Sequence, residues 1–208
     1  MSGLLIVGAG GHGAVVAEAA AESGRWERIE FLDDKLVGSK VLDFPVIGSV
    51  EEVVQHVEDS NEFVVAVGDN TRRLDLLNNI RGQGASIGTV IHPAAHVSKS
   101  ATLGEGCVVF AGVVVNARAV IGVGVILNTG ATVDHDCVIG DGVHVSPGAN
   151  IAGNVHVGDR TWIGIGSSVR EGMRIGSDSI VGAGSAVVSD VADQVTVGGV
   201  PAKSLNEK

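Results

Sequence analysis

The chain of 208 residues is long enough for one large domain or two small ones, and with 45% apolar residues it can bury a core. Its net charge of −10 argues against nucleic acid or an anionic membrane as a partner, and it has no run of ~18 apolar residues to span a bilayer. With no charged-then-apolar leader, the expected setting is cytoplasmic, where Cys107 and Cys137 read as buried thiols and not as a disulfide.

Residues 1–88 alternate strand and helix. GLLIV (3–7) reads as a strand, GAGGHG (8–13) as a glycine turn and 14–24 as a helix. A second strand over 29–34 ends in Asp33 and Asp34. Ser49 caps a helix over 49–57, a third strand runs over 62–67, and a helix opening at Asn70 closes in glycines by Gly84. This alternation predicts an α/β unit with a small parallel sheet.

Gly8-Ala9-Gly10-Gly11-His12-Gly13 fits G-x-G-x-x-G, with the two aspartates about 20 residues further on. Backbone N–H groups exposed at a helix N-terminus attract a diphosphate. Three strands are half of what a full dinucleotide fold uses, and His12 stands where it would face the phosphates. The loop is therefore expected to take a nucleotide diphosphate and not NAD. A tight strand–helix turn without a ligand is the alternative.

From Ile91 to Val187 every sixth residue is Val, Ile or Leu, without a miss. Gly104, Gly122, Gly140, Gly158 and Gly176 add a period of 18. With 31 glycines and only 3% aromatics, this is the composition of tightly stacked repetitive β-structure. Three hexads per coil make a triangular prism of short strands, stacked by parallel hydrogen bonds, in a second domain over 89–208 with a C-terminal tail. Each aliphatic and the residue two before it point inward, and the next three turn the corner. Cys107 and Cys137 then face inward on different walls, since 137 − 107 = 30 is not a multiple of 18.

Into this register NTGATVDHDCVIG (128–140) puts Asp134-His135-Asp136. His135, two after Val133, falls at a corner and projects between Ala117 one coil below and Gly153 one coil above. It is placed as a proton acceptor; an ordinary exposed histidine is the alternative. Asp136 is placed either to orient the ring or to pair with Arg118 one coil below. Asp134 stacks over Asn116. His144 faces outward with Trp162 above it, as at a buried subunit interface; a single exposed pair is the alternative. The histidine spacings provide no ligand pair, and no metal is expected.

Taken in order, GAGGHG, FLDD (31–34), VGDN (67–70), the hexads, NTGATVDHDC and GGVPAK (198–203) resemble the bacterial nucleotide-sugar acetyltransferases of the hexapeptide-repeat class along nearly the whole chain. The similarity is greatest to enzymes that N-acetylate a UDP- or GDP-linked 4-amino-4,6-dideoxy sugar, as in the bacillosamine and perosamine pathways. The sialic-acid O-acetyltransferase group shares the layout. The resemblance implies a left-handed parallel β-helix, against the usual right-handed crossover preference. It implies a homotrimer with acetyl-CoA in a slot between prisms, and His135 as catalytic base with Asp136 as its partner. Oxyanion or acetyl-CoA contacts are implied at Gly153, His144 and Asn128. Nucleotide-sugar contacts are implied at Gly10, Gly11, His12, Gly13, Asp33, Asp34, Asp69 and Asn70. Arg170, Arg174 and Lys203 lie toward the end of the prism, where CoA phosphates would be met; ordinary solvated charges are the alternative. The alternatives are a sugar O-acetyltransferase, a non-catalytic nucleotide-sugar-binding protein, and an NAD-dependent enzyme that uses the prism for assembly.

Overall fold

The computed structural model describes residues 2–57 and 61–205. The chain divides into two compact units, Met1–Pro93 and Ala94–Lys208.

The first unit has strands β1 (Gly3–Val7), β2 (Arg28–Leu32), β3 (Lys40–Val41), β4 (Phe44–Gly48), β5 (Asn61–Val65) and β6 (Ser86–Ile87), with helices α1 (Gly11–Ser23) and α2 (Asn70–Gly82). The sheet order is β3-β4-β2-β1-β5-β6. All pairs are parallel except β3 with β4. Every residue of β1 is buried, as the unbroken apolar run GLLIV requires of a central parallel strand. Helix α1 starts at Gly11, ahead of the expected Ala14, and Gly24 closes it in the left-handed conformation. The segment expected as a helix over 49–57 is a 3-10 helix, Val50–His56, opened by a capping box between Ser49 and Glu52. Strands β3, β4 and β6 go beyond the three expected. Two of them are two residues long, and β4 carries Pro45, so none shows a period-two run.

The second unit is a prism of two-residue strands in three parallel walls, each strand pairing 18 residues on. The first wall runs Val108, Ile126, His144, Trp162, Ile180. The second runs His96, Val114, Thr132, Asn150, Ser168, Ala186. The third runs Thr102, Val120, Val138, His156, Arg174. The core is the inward set the hexads prescribe, such as Val109, Val115 and Ile121 with Cys107, Val113 and Ala119. Cys107 and Cys137 are both fully buried, before the first and third walls respectively.

In the upper coils the inward positions become polar, and three of these hydroxyls donate to a carbonyl. Thr161 Oγ1 donates to Gly176 O (2.6 Å), Ser167 Oγ to Gly164 O (2.6 Å) and Ser179 Oγ to Ala192 O (2.8 Å), which offsets their burial. Gly122 shows why glycine recurs every 18 residues: a Cβ there would lie 2.8 Å from the Gly140 carbonyl carbon of the next coil.

After Val187 the repeat shortens. Ile175 bridges Val191 and Val181 pairs with Val197, each 16 residues on (191 − 175; 197 − 181). Val191 and Val197 still join the core, so the coil continues where a count by six loses it. The first wall ends in Thr196–Gly198 against antiparallel Lys203–Ser204; residues 206–208 of the expected tail lie outside the described residues.

Candidate active site

The second wall gives way to the third between Val133 and Val138. At that corner Asp136 lies in the left-handed region (φ 59°), as do Arg118 (60°) and Asn154 (57°) in the coils on either side. This column keeps side chains 18 apart in register. Arg118 Nε donates to Asp136 Oδ1 at 2.6 Å and Nη2 to Oδ2 at 2.8 Å, a two-pronged pair. The same Oδ2 lies 2.8 Å from His135 Nδ1. Asp136 thus serves both partners that the sequence offered as alternatives. The guanidinium first, and then the imidazole, hold its carboxyl well below the usual carboxylate range. An ionised carboxylate only accepts, so Nδ1 carries the hydrogen and Nε2 remains the proton acceptor.

Asp134 does more than stack over Asn116. Its Oδ1 accepts the His135 backbone N–H at 2.7 Å and Asn116 Nδ2 at 2.9 Å, and these bonds lower its pKa. His135 is 54% exposed, and its ring lies directly over Gly153: a Cβ there would fall 2.7 Å from both Cε1 and Nε2. The neighbours of Gly153 are bound into the coil, Ala152 N–H to Val169 O (3.0 Å) and Asn154 N–H to His135 O (2.8 Å). Beside this corner a groove of about 460 Å³ follows the second wall, lined by Asn116, Thr132, Asp134, Asn150, Ala152 and Ser168.

Asn128 and His144 belong to the first wall, so a single chain does not bring them to the His135 corner. Asn128 Oδ1 accepts the Thr129 N–H at 2.8 Å, which turns Nδ2 toward His144 Nε2 at 3.1 Å. His144 stacks on Trp162 with centroids 5.5 Å and planes 8° apart, and Trp162 Nε1 donates to Ser146 Oγ at 2.7 Å. Trp162, Ile165 and Ile180 leave an apolar strip 46%, 56% and 44% exposed on this wall, at a groove of about 360 Å³.

In the first unit β2 lies on one side of β1 and β5 on the other. The carboxyl ends of β1 and β5 therefore form the switch point at which open α/β sheets take ligands. Gly8–Gly13 leaves β1 there, and Gly68–Asn70 follows β5. Two of these glycines are fixed by the chain itself. A Cβ on Gly8 (φ 104°) would meet Ala66 O at 2.9 Å, and one on Gly13 would overlap Gly8 O. Gly10, Gly11 and Gly68 differ: a Cβ on any of them would meet nothing within 4 Å. Helix α1 starts there with no side-chain cap bond and no acid in its first turn, so no side chain of the helix itself offsets its positive end.

His12, half-buried, has its pKa lowered to about 4 by burial and then by the Arg73 guanidinium, so the ring is neutral at physiological pH. Sequence reasoning missed Arg73, since nothing in NTRRLDLL separates it from exposed Arg72. It is buried and donates to Val67 O (2.9 Å), Gly68 O (3.3 Å) and Asn70 Oδ1 (2.8 Å). The acids each serve the backbone. Asp33 accepts the Ala9 and Lys35 N–H groups (both 2.9 Å), Asp34 that of Val50 (2.9 Å), and Asp69 caps α2 through Arg72 N–H (2.8 Å). Asp33, Asp69 and Asn70 thus gather at the switch point, while Asp34 turns to the start of the 3-10 helix. Among the described residues no group of three or more His, Cys, Asp or Glu could hold a metal ion, and no helix is long and apolar enough to cross a membrane.

Residues 3–80 match the family model of the PglD N-terminal domain. The acetyltransferase domain of PglB from Neisseria gonorrhoeae FA1090, solved in complex with acetyl coenzyme A, is 45% identical, with 98% of each chain covered and a TM-score of 0.95. A histidine mutant of perosamine N-acetyltransferase from Caulobacter crescentus, solved with CoA and GDP-perosamine, is 41% identical over 100% of this chain and 98% of that one, with a TM-score of 0.94. UDP-N-acetylbacillosamine N-acetyltransferase from Bacillus subtilis (strain 168) is 40% identical over 114 residues. That match spans about half of each protein, 53% of this chain and 52% of the enzyme. The small parallel-sheet domain is followed by a left-handed parallel β-helix, and the likeness in fold runs nearly end to end. With that likeness and its level of identity, the chain belongs to the nucleotide-sugar N-acetyltransferase family.

Proposed function

We propose that the chain transfers the acetyl group of acetyl-CoA to the 4-amino group of a UDP- or GDP-linked 4-amino-4,6-dideoxy sugar, with His135 as general base. The observation that carries this reading is the ring itself: Nδ1 tied to an ionised carboxylate, Nε2 left as acceptor over a glycine. The relatives that hold acetyl-CoA, CoA and GDP-perosamine support the substrate classes.

In this reading the amine lone pair attacks the thioester carbonyl carbon and a C–N bond forms. The amine proton passes to His135 Nε2, a step typically worth about 10²–10⁴-fold. The Gly153 N–H stabilises the oxyanion, a donor of a kind worth roughly 10²–10³-fold. The C–S bond then breaks, and His135 returns its proton to the departing thiolate. The nucleotide is held in the first unit by Gly10, Gly11, His12 and Gly13, with Asp33, Asp34, Asp69 and Asn70. The open space at Gly10, Gly11 and Gly68 supports a close approach of phosphate there. Asn128 and His144 act on acetyl-CoA from the wall of a neighbouring subunit in a cytoplasmic homotrimer, which the exposed apolar strip around Trp162 supports.

The test is thiol release from acetyl-CoA with a panel of UDP- and GDP-linked amino sugars and their hydroxyl counterparts. Turnover with an amino sugar alone is expected. Release only with the hydroxyl sugars, or with none, contradicts the reading.

A further inference from the structure

We infer that Arg118 is a positioning residue for the base: it clamps the Asp136 carboxylate so that one oxygen fixes the plane and tautomer of His135, and it puts a positive charge at the same edge of the ring. The inference rests on His135 acting as the base.

Asp136 Oδ2 is shared, 2.8 Å from Arg118 Nη2 and 2.8 Å from His135 Nδ1, while Oδ1 is held by Arg118 Nε at 2.6 Å. With both oxygens engaged by a planar fork, the carboxylate has one orientation, and in it Oδ2 meets the ring. Without the fork a 37% exposed aspartate next to its own histidine is free to turn into water. The backbone supports the clamp, because residues 118 and 136 are stacked in matching left-handed conformations.

Among the described residues the same device recurs in the prism, which separates what belongs to the fold from what belongs to the site. Arg160 Nε donates to Asp178 Oδ1 and Nη2 to Oδ2, both at 2.7 Å, again 18 residues on (178 − 160), at φ 55° and 56°. There the residue before the acid is Ser177. A cross-coil Arg–Asp staple is thus a stock corner element. Exposed pairs of this kind add little stability, so orienting a ring is the larger consequence at residues 118 and 136. The charged groups facing that ring are Asp136 and Arg118 at its Nδ1 edge and Asp134 at its backbone N–H.

Charge and geometry predict opposite movements in two variants. Arg118→Ala removes a positive charge from the Nδ1 edge of the ring, so the acidic limb of kcat/KM moves to higher pH, by roughly half a unit for one charge several ångströms away in water. Asp136→Asn removes the anion and moves the limb to lower pH. Arg118→Ala also lowers kcat about tenfold through misorientation. Arg118→Lys restores the limb but only part of kcat, since an ammonium has no fork. Arg160→Ala moves neither and serves as the control. Imidazole NMR titration of the ligand-free variants, with the His135 resonance assigned by its loss in His135→Ala, reads the same shifts without turnover. Failure of the coupling is thereby distinguished from failure of the proposed reaction. A His135 titration unmoved by Arg118→Ala in a chain that melts like wild type overturns the inference.

Discussion

Gly153 lies so close under the His135 ring that one methyl group there tests the ring's placement. Gly153→Ala puts a carbon 2.7 Å from Nε2, and the ring must swing away. We expect kcat to fall about 10²-fold, with the melting temperature nearly unchanged because the half-exposed ring can move into solvent. Wild-type kcat in this variant would show that the ring does not work where it is seen. The six-residue register places His135 between Ala117 and Gly153 from sequence alone, because period fixes which residues stack. It did not reveal that Asp136 serves two partners, that Asp134 holds the His135 N–H, or that Arg73 is buried. Those depend on which oxygen or guanidinium nitrogen points where, and a repeat constrains Cα positions, not side-chain torsions.

The glycine loop and α1 separate along the same line. Glycine is required at Gly13 by the chain's own backbone, and at Gly10 by nothing within 4 Å. Gly13→Ala should destabilise the protein by about 2 kcal/mol through overpacking. Gly10→Ala should leave the urea midpoint intact and raise KM for the nucleotide sugar; equal loss of stability in both would mean that the loop is only a tight turn. His12 gives this unit a pH response. Its folded pKa of about 4 lies below the ordinary imidazole value of 6.5, so between them the unfolded ring takes a proton that the folded ring refuses. Stability is therefore present above the upper value and lost as pH falls toward the lower one. A drop in urea midpoint from about pH 7 to about pH 5 should be larger in wild type than in His12→Asn, and equal drops would contradict the assignment. Strands β1, β2 and β5 and both α-helices were legible from apolar runs and caps. The two-residue β3 and β6 and the Pro45-bearing β4 were not, because they are held by neighbouring strands and not by their own pattern.

Over the whole molecule the prism's legibility comes from its period: one inward aliphatic every six residues is enough to specify three walls. It fails only where the last coil drops two residues before Val191. The exposed Trp162, Ile165 and Ile180 strip is an apolar surface that a monomer would leave in water. Light scattering should give a trimer, and Trp162→Glu should shift it toward monomer; a wild-type monomer at micromolar concentration would remove the facing wall on which the roles of Asn128 and His144 depend.

The most direct test of the central claim is the steady-state kinetics of His135→Ala with acetyl-CoA and the accepted nucleotide amino sugar. A base acts in the transition state, so kcat should fall by roughly 10²-fold or more, with little change in either KM. A variant that keeps more than about half of wild-type kcat would show that His135 is a bystander.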